Sequence, residues 1–317
     1  MRVGASIGRS AWIVSKAQLP LRDGVSASTM VLPPLSSLAV TPHSLLSFLE
    51  HSTPNSSQLD WENRLKNGLI LDQNGKALPK EAPYIVGQRI HYWRDAGVEP
   101  RIPFDEQIIY QDDHILVADK PHFLPVTPTG GYVQETLLVR LKKRTGLADL
   151  TPMHRIDRDT AGLVMFCIRK EDRDAYAAMF RGRQLSKTYE CIAPFSLNLS
   201  FPLIRKTRLV TSPDSFMQMV ETDGEPNSET QIELIEHIGE FARYRLYPIT
   251  GKRHQLRVHM NALGLPIRGD GIYPVLTPET SQPDYSSPML LLAQSLSFLD
   301  PVTAEPRSFQ TRQSLCF

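Results

Sequence analysis

Hydrophobic and polar residues alternate along several segments of the chain, which is the spacing of strands that bury one face. This pattern predicts half-exposed strands at residues 187–193, 231–236 and 241–248. A continuous apolar run at 163–168 instead predicts a buried strand. The run follows a cluster of charged residues, so we expect that cluster at an end of the sheet.

Shorter patterns add a hairpin and two helices. Residues 108–110 and 114–118 flank an acidic turn and predict paired strands. Residues 171–180 and 254–262 predict helices, the second ended by Gly264. Together these elements predict an α+β fold with a mixed, mostly antiparallel central sheet and flanking helices.

The first hundred residues follow a different order of elements. Apolar positions from Leu45 and within 61–67 predict two helices. Residues 69–71 and 84–92 predict two strands, joined through an Asn-Gly turn. This order predicts a small domain of its own, with both helices and strands.

Composition divides the chain into three segments. Residues 1–34 are rich in Ser, Ala, Pro and Gly and predict an N-terminal extension. The small domain is expected at 35–99 and a large domain at 100–317, with a proline-containing linker at 100–103.

Composition also excludes several classes of protein. Hydrophobic residues make up 41% and charged residues 22%, and no apolar run approaches the roughly 18 residues of a membrane span. The three cysteines form no CxxC pair, so neither a disulfide framework nor a cysteine-rich zinc site is expected. We therefore expect a cytoplasmic protein without a metal or a membrane partner.

Charge is distributed unevenly along the chain. Residues 139–209 contain 15 Lys/Arg and 7 Asp/Glu, a net charge of 15 − 7 = +8. The remainder carries −7, which restores the overall +1. A basic stretch of this kind predicts a surface that binds nucleic-acid phosphates. A solvated basic face without a partner is the alternative interpretation.

Residues 154–163 read HRIDRDTAGL and carry the strongest chemical signal. They place two arginines and two aspartates within five positions and then enter the predicted buried strand. The segment closely resembles HRLDRxTSGL, the signature of pseudouridine synthases of the RluA type. Residues 250–259, TGKRHQLRVH, resemble the same family's TGRxHQIRxH. The resemblance extends over residues 105–310 and implies the pseudouridine synthase fold.

The resemblance implies three catalytic residues. Asp157 matches the aspartate that attacks ribose C1′ as a nucleophile or removes a proton from C2′. Arg257 matches the arginine that keeps this aspartate ionised and oriented. Tyr189, in a K-x-Y element, matches the tyrosine that stacks on the target base and is a candidate to accept the C5 proton.

RNA-binding residues are implied in the same way. Arg155 matches the residue that enters the RNA when the target uridine leaves its stack. Arg158, Lys187 and His254 are further candidates for RNA contacts. Residues 35–99 resemble the alpha-L RNA-binding domain of many relatives, although a two-helix cap without RNA contacts is an open alternative.

These expectations define an RNA pseudouridine synthase that acts on ribosomal or transfer RNA as a monomer and needs no cofactor. One alternative is a non-catalytic RNA-binding or assembly protein that retains the fold. Another is a glycoside hydrolase with an aspartate nucleophile, but the second acid of such enzymes is missing from the motifs.

Overall fold

The computed structural model describes residues 19, 21–52, 61–93, 99–278 and 284–317. The chain divides into two compact units, Met1–Val98 and Glu99–Phe317. Most of the predicted extension at 1–34 lies outside the described residues.

The first unit contains two helices, a short 3-10 helix and a three-stranded antiparallel sheet in the order β1-β3-β2. These elements are β1 (Ser28–Val31), the 3-10 helix (Leu35–Ser37), α1 (Leu45–Ser52), α2 (Trp61–Lys66), β2 (Ile70–Asp72) and β3 (Arg89–Tyr92). The two helices and the strand after them are confirmed, whereas the strand predicted at 84–92 is shorter. β1 lies within the segment predicted as an extension. Leu32, the residue after β1, is buried in the core of this unit, so this part of the segment belongs to the unit.

The second unit is built on an eleven-stranded sheet within the described residues. Nine strands follow the order β10-β9-β11-β12-β8-β13-β7-β5-β4, with β14 on β13 and β6 on β7. Its strands are β4 (Gln107–Gln111), β5 (Ile115–Lys120), β6 (Thr151–Pro152), β7 (Ala161–Cys167), β8 (Leu185–Pro194), β9 (Leu203–Thr211), β10 (Met219–Thr222), β11 (Ser228–Ile238), β12 (Phe241–Pro248), β13 (Leu291–Leu299) and β14 (Pro306–Gln310). Its helices are α3 (Leu137–Thr145), α4 (Arg173–Arg181) and α5 (Gln255–Ala262). The predicted mixed, mostly antiparallel α+β architecture is confirmed.

β7 is buried along its whole length because helices cover both of its faces. Val164 and Phe166 pack with Leu137 of α3 on one face. Leu163 and Met165 pack with residues of α4 on the other face. A strand enclosed in this way needs apolar residues at every position, which explains its continuous apolar run.

The pairing between β7 and β13 is short and parallel. It joins Ala161 to Leu292 and Gly162 to Ala293, whereas the other ladders of this sheet are antiparallel. We call this two-residue contact the β7–β13 seam. It connects the strands that precede residue 168 to those that follow residue 184.

The segment predicted as a linker is part of the second unit. Ile102 is 1% exposed and packs in the core beside α3. Its N–H donates to Oε2 of Glu135 at 2.8 Å, and its carbonyl accepts from Arg140 at 2.8 Å. These contacts fix residues 100–103 against the second unit, so the segment predicted as a linker is part of that unit.

Across the described parts of the chain, no helix is long and apolar enough to cross a membrane.

Candidate active site

Asp157 and Arg257 meet although they lie 100 positions apart. Asp157 lies on the loop between β6 and β7, and Arg257 lies on α5. Nη1 of Arg257 donates to Oδ2 of Asp157 at 2.9 Å, so the contact predicted from the two motifs is present. The Asp157 side chain is 30% exposed and that of Arg257 only 2%. Arg257 therefore fixes the Asp157 carboxylate from inside the protein, and part of the carboxylate remains accessible to solvent.

Asp270 completes this group, and the sequence did not single it out. Nε and Nη2 of Arg257 donate to its two carboxylate oxygens at 2.8 and 2.6 Å. Burial alone would lower the pKa of Arg257, but the bonds and charges of Asp270 and Asp157 outweigh it and raise that pKa above its ordinary value. A buried guanidinium has five N–H donors, which is more than the Asp157 carboxylate alone can accept. This need for a second acceptor is the signal that could have indicated a residue such as Asp270.

His254 also faces Asp157. His254 has a left-handed backbone conformation (φ 52°) at the start of α5, and its Nε2 lies 3.9 Å from Oδ1 of Asp157. Nδ1 lies 3.0 Å from the hydroxyl of Tyr273. Burial lowers the pKa of His254 from 6.5 to about 4, although Asp157 opposes the shift. The imidazole is thus neutral near pH 7 and is not a cation for phosphate.

Tyr189 is buried on β8, with 9% exposure. It packs in the same hydrophobic core as Leu256 of α5, with Ile156 against that core. Burial raises the pKa of Tyr189 above its ordinary value, and the charge of Asp157 raises it further. The resting phenol is therefore protonated.

The basic candidates occupy different environments. Arg155 is exposed and forms no ion pair with any residue that the structure describes. Arg158 is exposed, and its Nε donates to Oδ1 of Asp159 at 2.9 Å. Lys187 is half-buried, and burial lowers its pKa. Only the two arginines therefore present their charge openly to solvent.

The side chains of His154 and of the buried Lys120 fix the loop that carries Asp157. Nε2 of His154 accepts the N–H of Met165 at 3.1 Å, and its ring stacks on Phe180 at 5.1 Å. Nζ of Lys120 donates to the carbonyl of Arg158 at 2.8 Å. Burial lowers the pKa of Lys120 from 10.5 to about 7, against the opposing charges of Asp159 and Asp157. The sequence did not indicate this role for Lys120, because it lies in another strand.

No group of three or more His, Cys, Asp or Glu that could hold a metal occurs among the residues that the structure describes.

Comparison with known sequences gives consistent matches. A family model described as RNA pseudouridylate synthase matches residues 114–262. The dual-specificity RNA pseudouridine synthase RluA of Haemophilus influenzae is 31% identical, over 65% of this chain and 92% of that protein. The mitochondrial tRNA pseudouridine(32) synthase of Saccharomyces cerevisiae is 29% identical, over 53% of this chain and 37% of that protein.

A solved structure is also similar. Human RNA Pseudouridylate Synthase Domain Containing 1 matches with a TM-score of 0.55 and 23% identity, over 68% of this chain and 86% of that one. At this identity the likeness shows a shared fold.

Proposed function

The chain belongs to the RluA-type family of RNA pseudouridine synthases and is an isomerase that acts on RNA, and we propose that it converts a specific uridine of ribosomal or transfer RNA to pseudouridine. The observation that carries this proposal is the half-open carboxylate of Asp157, held 2.9 Å from the buried guanidinium of Arg257. The printed names of the relatives support an RNA substrate, because that of RluA gives dual specificity for RNA and that of the yeast relative gives tRNA.

The reaction breaks the bond between ribose C1′ and uracil N1 and forms a bond between C1′ and C5. No electrons are gained or lost overall, because C5 loses a proton as the new bond forms and N1, released from C1′, gains one. Asp157 either attacks C1′ and is later displaced, or removes the C2′ proton and later returns it. Both routes need an unprotonated carboxylate oxygen facing the sugar, and the exposed side of Asp157 provides one.

The surrounding residues take supporting roles in this proposal. Arg257 orients the carboxylate, and Asp270 orients Arg257. Tyr189 stacks on uracil, and its protonated hydroxyl suits hydrogen-bond donation better than proton removal. His254 is assigned to positioning Asp157, because a neutral, buried imidazole gains little from phosphate.

RNA contacts are assigned to the two exposed arginines and to the half-buried Lys187. Arg155 fills the gap left by the flipped uridine, since its planar guanidinium can stack on bases and bond to phosphates. Arg158 and Lys187 contact the RNA backbone, and residues 35–99 add a second RNA-binding surface. We further propose a cytoplasmic monomer, and the three free cysteines fit a reducing compartment.

Asp157→Asn tests the proposal because it removes the charge and keeps the shape of the side chain. We expect pseudouridine formation in ribosomal or transfer RNA to fall to background, while the Kd for the same RNA changes by less than about threefold. Asp113→Asn is the matched control, since Asp113 is 84% exposed on the β4–β5 turn. Wild-type turnover in Asp157→Asn would contradict the assignment of the reactive carboxylate. RNA binding without any turnover in the wild type would instead favour a non-catalytic RNA-binding protein.

A further inference from the structure

The connection between β9 and β10 carries an exposed aromatic side chain at its tip. Phe216 is 78% exposed, within the turn formed by residues 212–218. Single exposed apolar residues are common on protein surfaces, so exposure alone assigns no role. The order of the turn and its attachment to the active site supply the further evidence.

Hydrogen bonds within the turn hold it in a defined shape. The N–H of Ser212 donates to the carbonyl of Gln218 at 2.9 Å, and the N–H of Gln218 donates to the carbonyl of Ser215 at 3.0 Å. The hydroxyl of Ser215 accepts the N–H of Met217 at 3.3 Å. Phe216 is therefore presented by an ordered turn, which lowers the entropy lost when a ligand packs on it.

The turn is bonded to the wall of the active site at three points. The N–H of Met219 donates to the hydroxyl of Tyr273 at 2.7 Å. The amide of Gln218 donates to the carbonyl of Ile272 at 2.8 Å, and Nη2 of Arg253 donates to the carbonyl of Met217 at 2.9 Å. Because Tyr273 also contacts His254, which faces Asp157, the tip is continuous with the proposed catalytic group.

The chemistry of the tip suits a nucleobase better than a phosphate. Residues 212–218 contain one acid, Asp214, and no lysine or arginine. The exposed cations Lys252 and Arg253 lie on the neighbouring turn, where they can meet the RNA backbone. An exposed aromatic ring binds an unstacked base through its face, whatever the base is. RNA around a flipped-out uridine offers such bases.

We propose that Phe216 stacks on an unpaired base of the RNA substrate, next to the target uridine. This inference rests on the proposed function, since it needs an RNA with a flipped-out uridine at Asp157. It adds a specificity-determining residue that discriminates RNA with an unpaired neighbour from fully paired RNA.

The test compares substitutions at Phe216 by their effect on RNA binding. The probe is unmodified tRNA or rRNA from cells that lack the gene. Phe216→Ala should raise both Kd and KM by about tenfold or more and leave kcat at saturating RNA within about twofold. Phe216→Tyr should bind like the wild type, whereas Phe216→Leu should bind like Phe216→Ala. Leu197→Ala is the matched control, because Leu197 is 88% exposed in the β8–β9 connection.

A tryptophan at this position gives a direct readout. The three natural tryptophans all precede residue 99, so wild-type fluorescence supplies the background. The emission of Phe216→Trp should be quenched by the probe RNA, and to a smaller extent by a fully paired duplex. An unchanged emission, or a Kd of Phe216→Ala within about twofold of the wild type, would overturn the proposal. A role in binding another protein would produce that result.

Failure of this inference is distinguishable from failure of the proposed function. If the wild type forms pseudouridine and Phe216→Ala matches it in Kd and KM, only the stacking role falls. The opposite result is that the probe RNA binds the wild type and quenches the emission of Phe216→Trp, but the wild type forms no pseudouridine. In that case the stacking role stands and the proposed function falls.

Discussion

Arg257 divides its donors unequally between two carboxylates. Asp270 receives two of them and is fully buried, whereas Asp157 receives one and remains partly open. The fully buried pair fixes the guanidinium, and the guanidinium in turn fixes the Asp157 carboxylate. Such a division needs the planar fork of arginine, which lysine cannot reproduce.

Replacing this arginine should destabilise the protein as well as inactivate it. Arg257→Met leaves Asp270 buried without its partner, so we expect the free energy of unfolding to fall by about 3–5 kcal/mol. Urea unfolding measures the change, with Arg155→Met as a control at an exposed arginine. The double variant with Asp270→Asn should recover part of the loss, and an equal loss in both variants would refute the pairing argument.

Three histidines with lowered pKa values should make stability sensitive to acid. Burial lowers the pKa of His254 and His259 from 6.5 to about 4, and that of His154 to about 3. Between about 4 and 6.5 the unfolded chain binds protons that the folded protein does not, so the free energy of unfolding should fall as pH falls through this window. Each histidine contributes up to about 1.4 kcal/mol per pH unit. Urea unfolding across the window measures the slope, and His259→Gln should flatten it; parallel curves would contradict the prediction.

The residues of the site were predictable to different extents. The motifs identified Asp157 and Arg257 and their contact, because both lie in patterns with recognisable spacing. Asp270 and Lys120 act through contacts between distant segments, so their roles could not be assigned from the sequence. His254 was expected among the RNA contacts, but its burial beside Asp157 became apparent only in the fold.

At the scale of elements, the β7–β13 seam brings two backbones into close approach beside the loop that carries Asp157. Gly162 has a φ of +108°, and a Cβ there would lie 2.3 Å from the carbonyl oxygen of Ala293. Only glycine fits this conformation and this distance. The motif thus uses its glycine to bring β13 against the strand that follows Asp157.

Gly162→Ala should therefore separate the two strands. We expect a loss of about 3 kcal/mol or more in the free energy of unfolding, with a matching loss of activity, since the Asp157 loop enters β7 here. Gly131→Ala is the control, because nothing lies within 4 Å of its Cβ position and it should change stability by less than about 0.5 kcal/mol. Thermal unfolding of both variants measures the difference, and similar melting temperatures would show that the seam can adjust.

Several elements were missed for identifiable reasons. α3 was not predicted, although Thr136 caps its start and Gly146 ends it in a left-handed conformation. β9 and β10 lie at one edge of the sheet, where polar residues alternate with few buried ones and the hydrophobic signal is weak. β7 was predicted because burial on both faces demands a continuous apolar pattern.

At the scale of the whole molecule, Glu99 sets where the second unit begins. Its carboxylate accepts the N–H groups of Val133, Gln134 and Glu135 at 2.8–2.9 Å, just before α3. The unit thus depends on a residue that precedes the segment predicted as a linker.

Truncation tests this boundary. Residues 99–317 should fold alone, whereas residues 101–317 should be less stable by about 1–3 kcal/mol because three part-buried N–H groups lose their acceptor. Urea unfolding compares the two, and Glu99→Gln in the longer form is the control for charge. Equal stability would place the boundary after Glu99. RNA selection by residues 99–317 should be weaker than in the full chain, while pseudouridine formation persists.

The β7–β13 seam also determines when the enzyme becomes competent during its own synthesis. Asp157 leaves the ribosome a hundred residues before Arg257, and the strand that joins their two halves of the sheet follows at Leu291–Leu299. A domain generally folds as a unit during synthesis, once the segments that it needs have emerged. A growing polypeptide surrounded by ribosomal RNA should therefore carry its acid without its arginine, and we expect it to stay inert towards that RNA until Leu291–Leu299 has emerged.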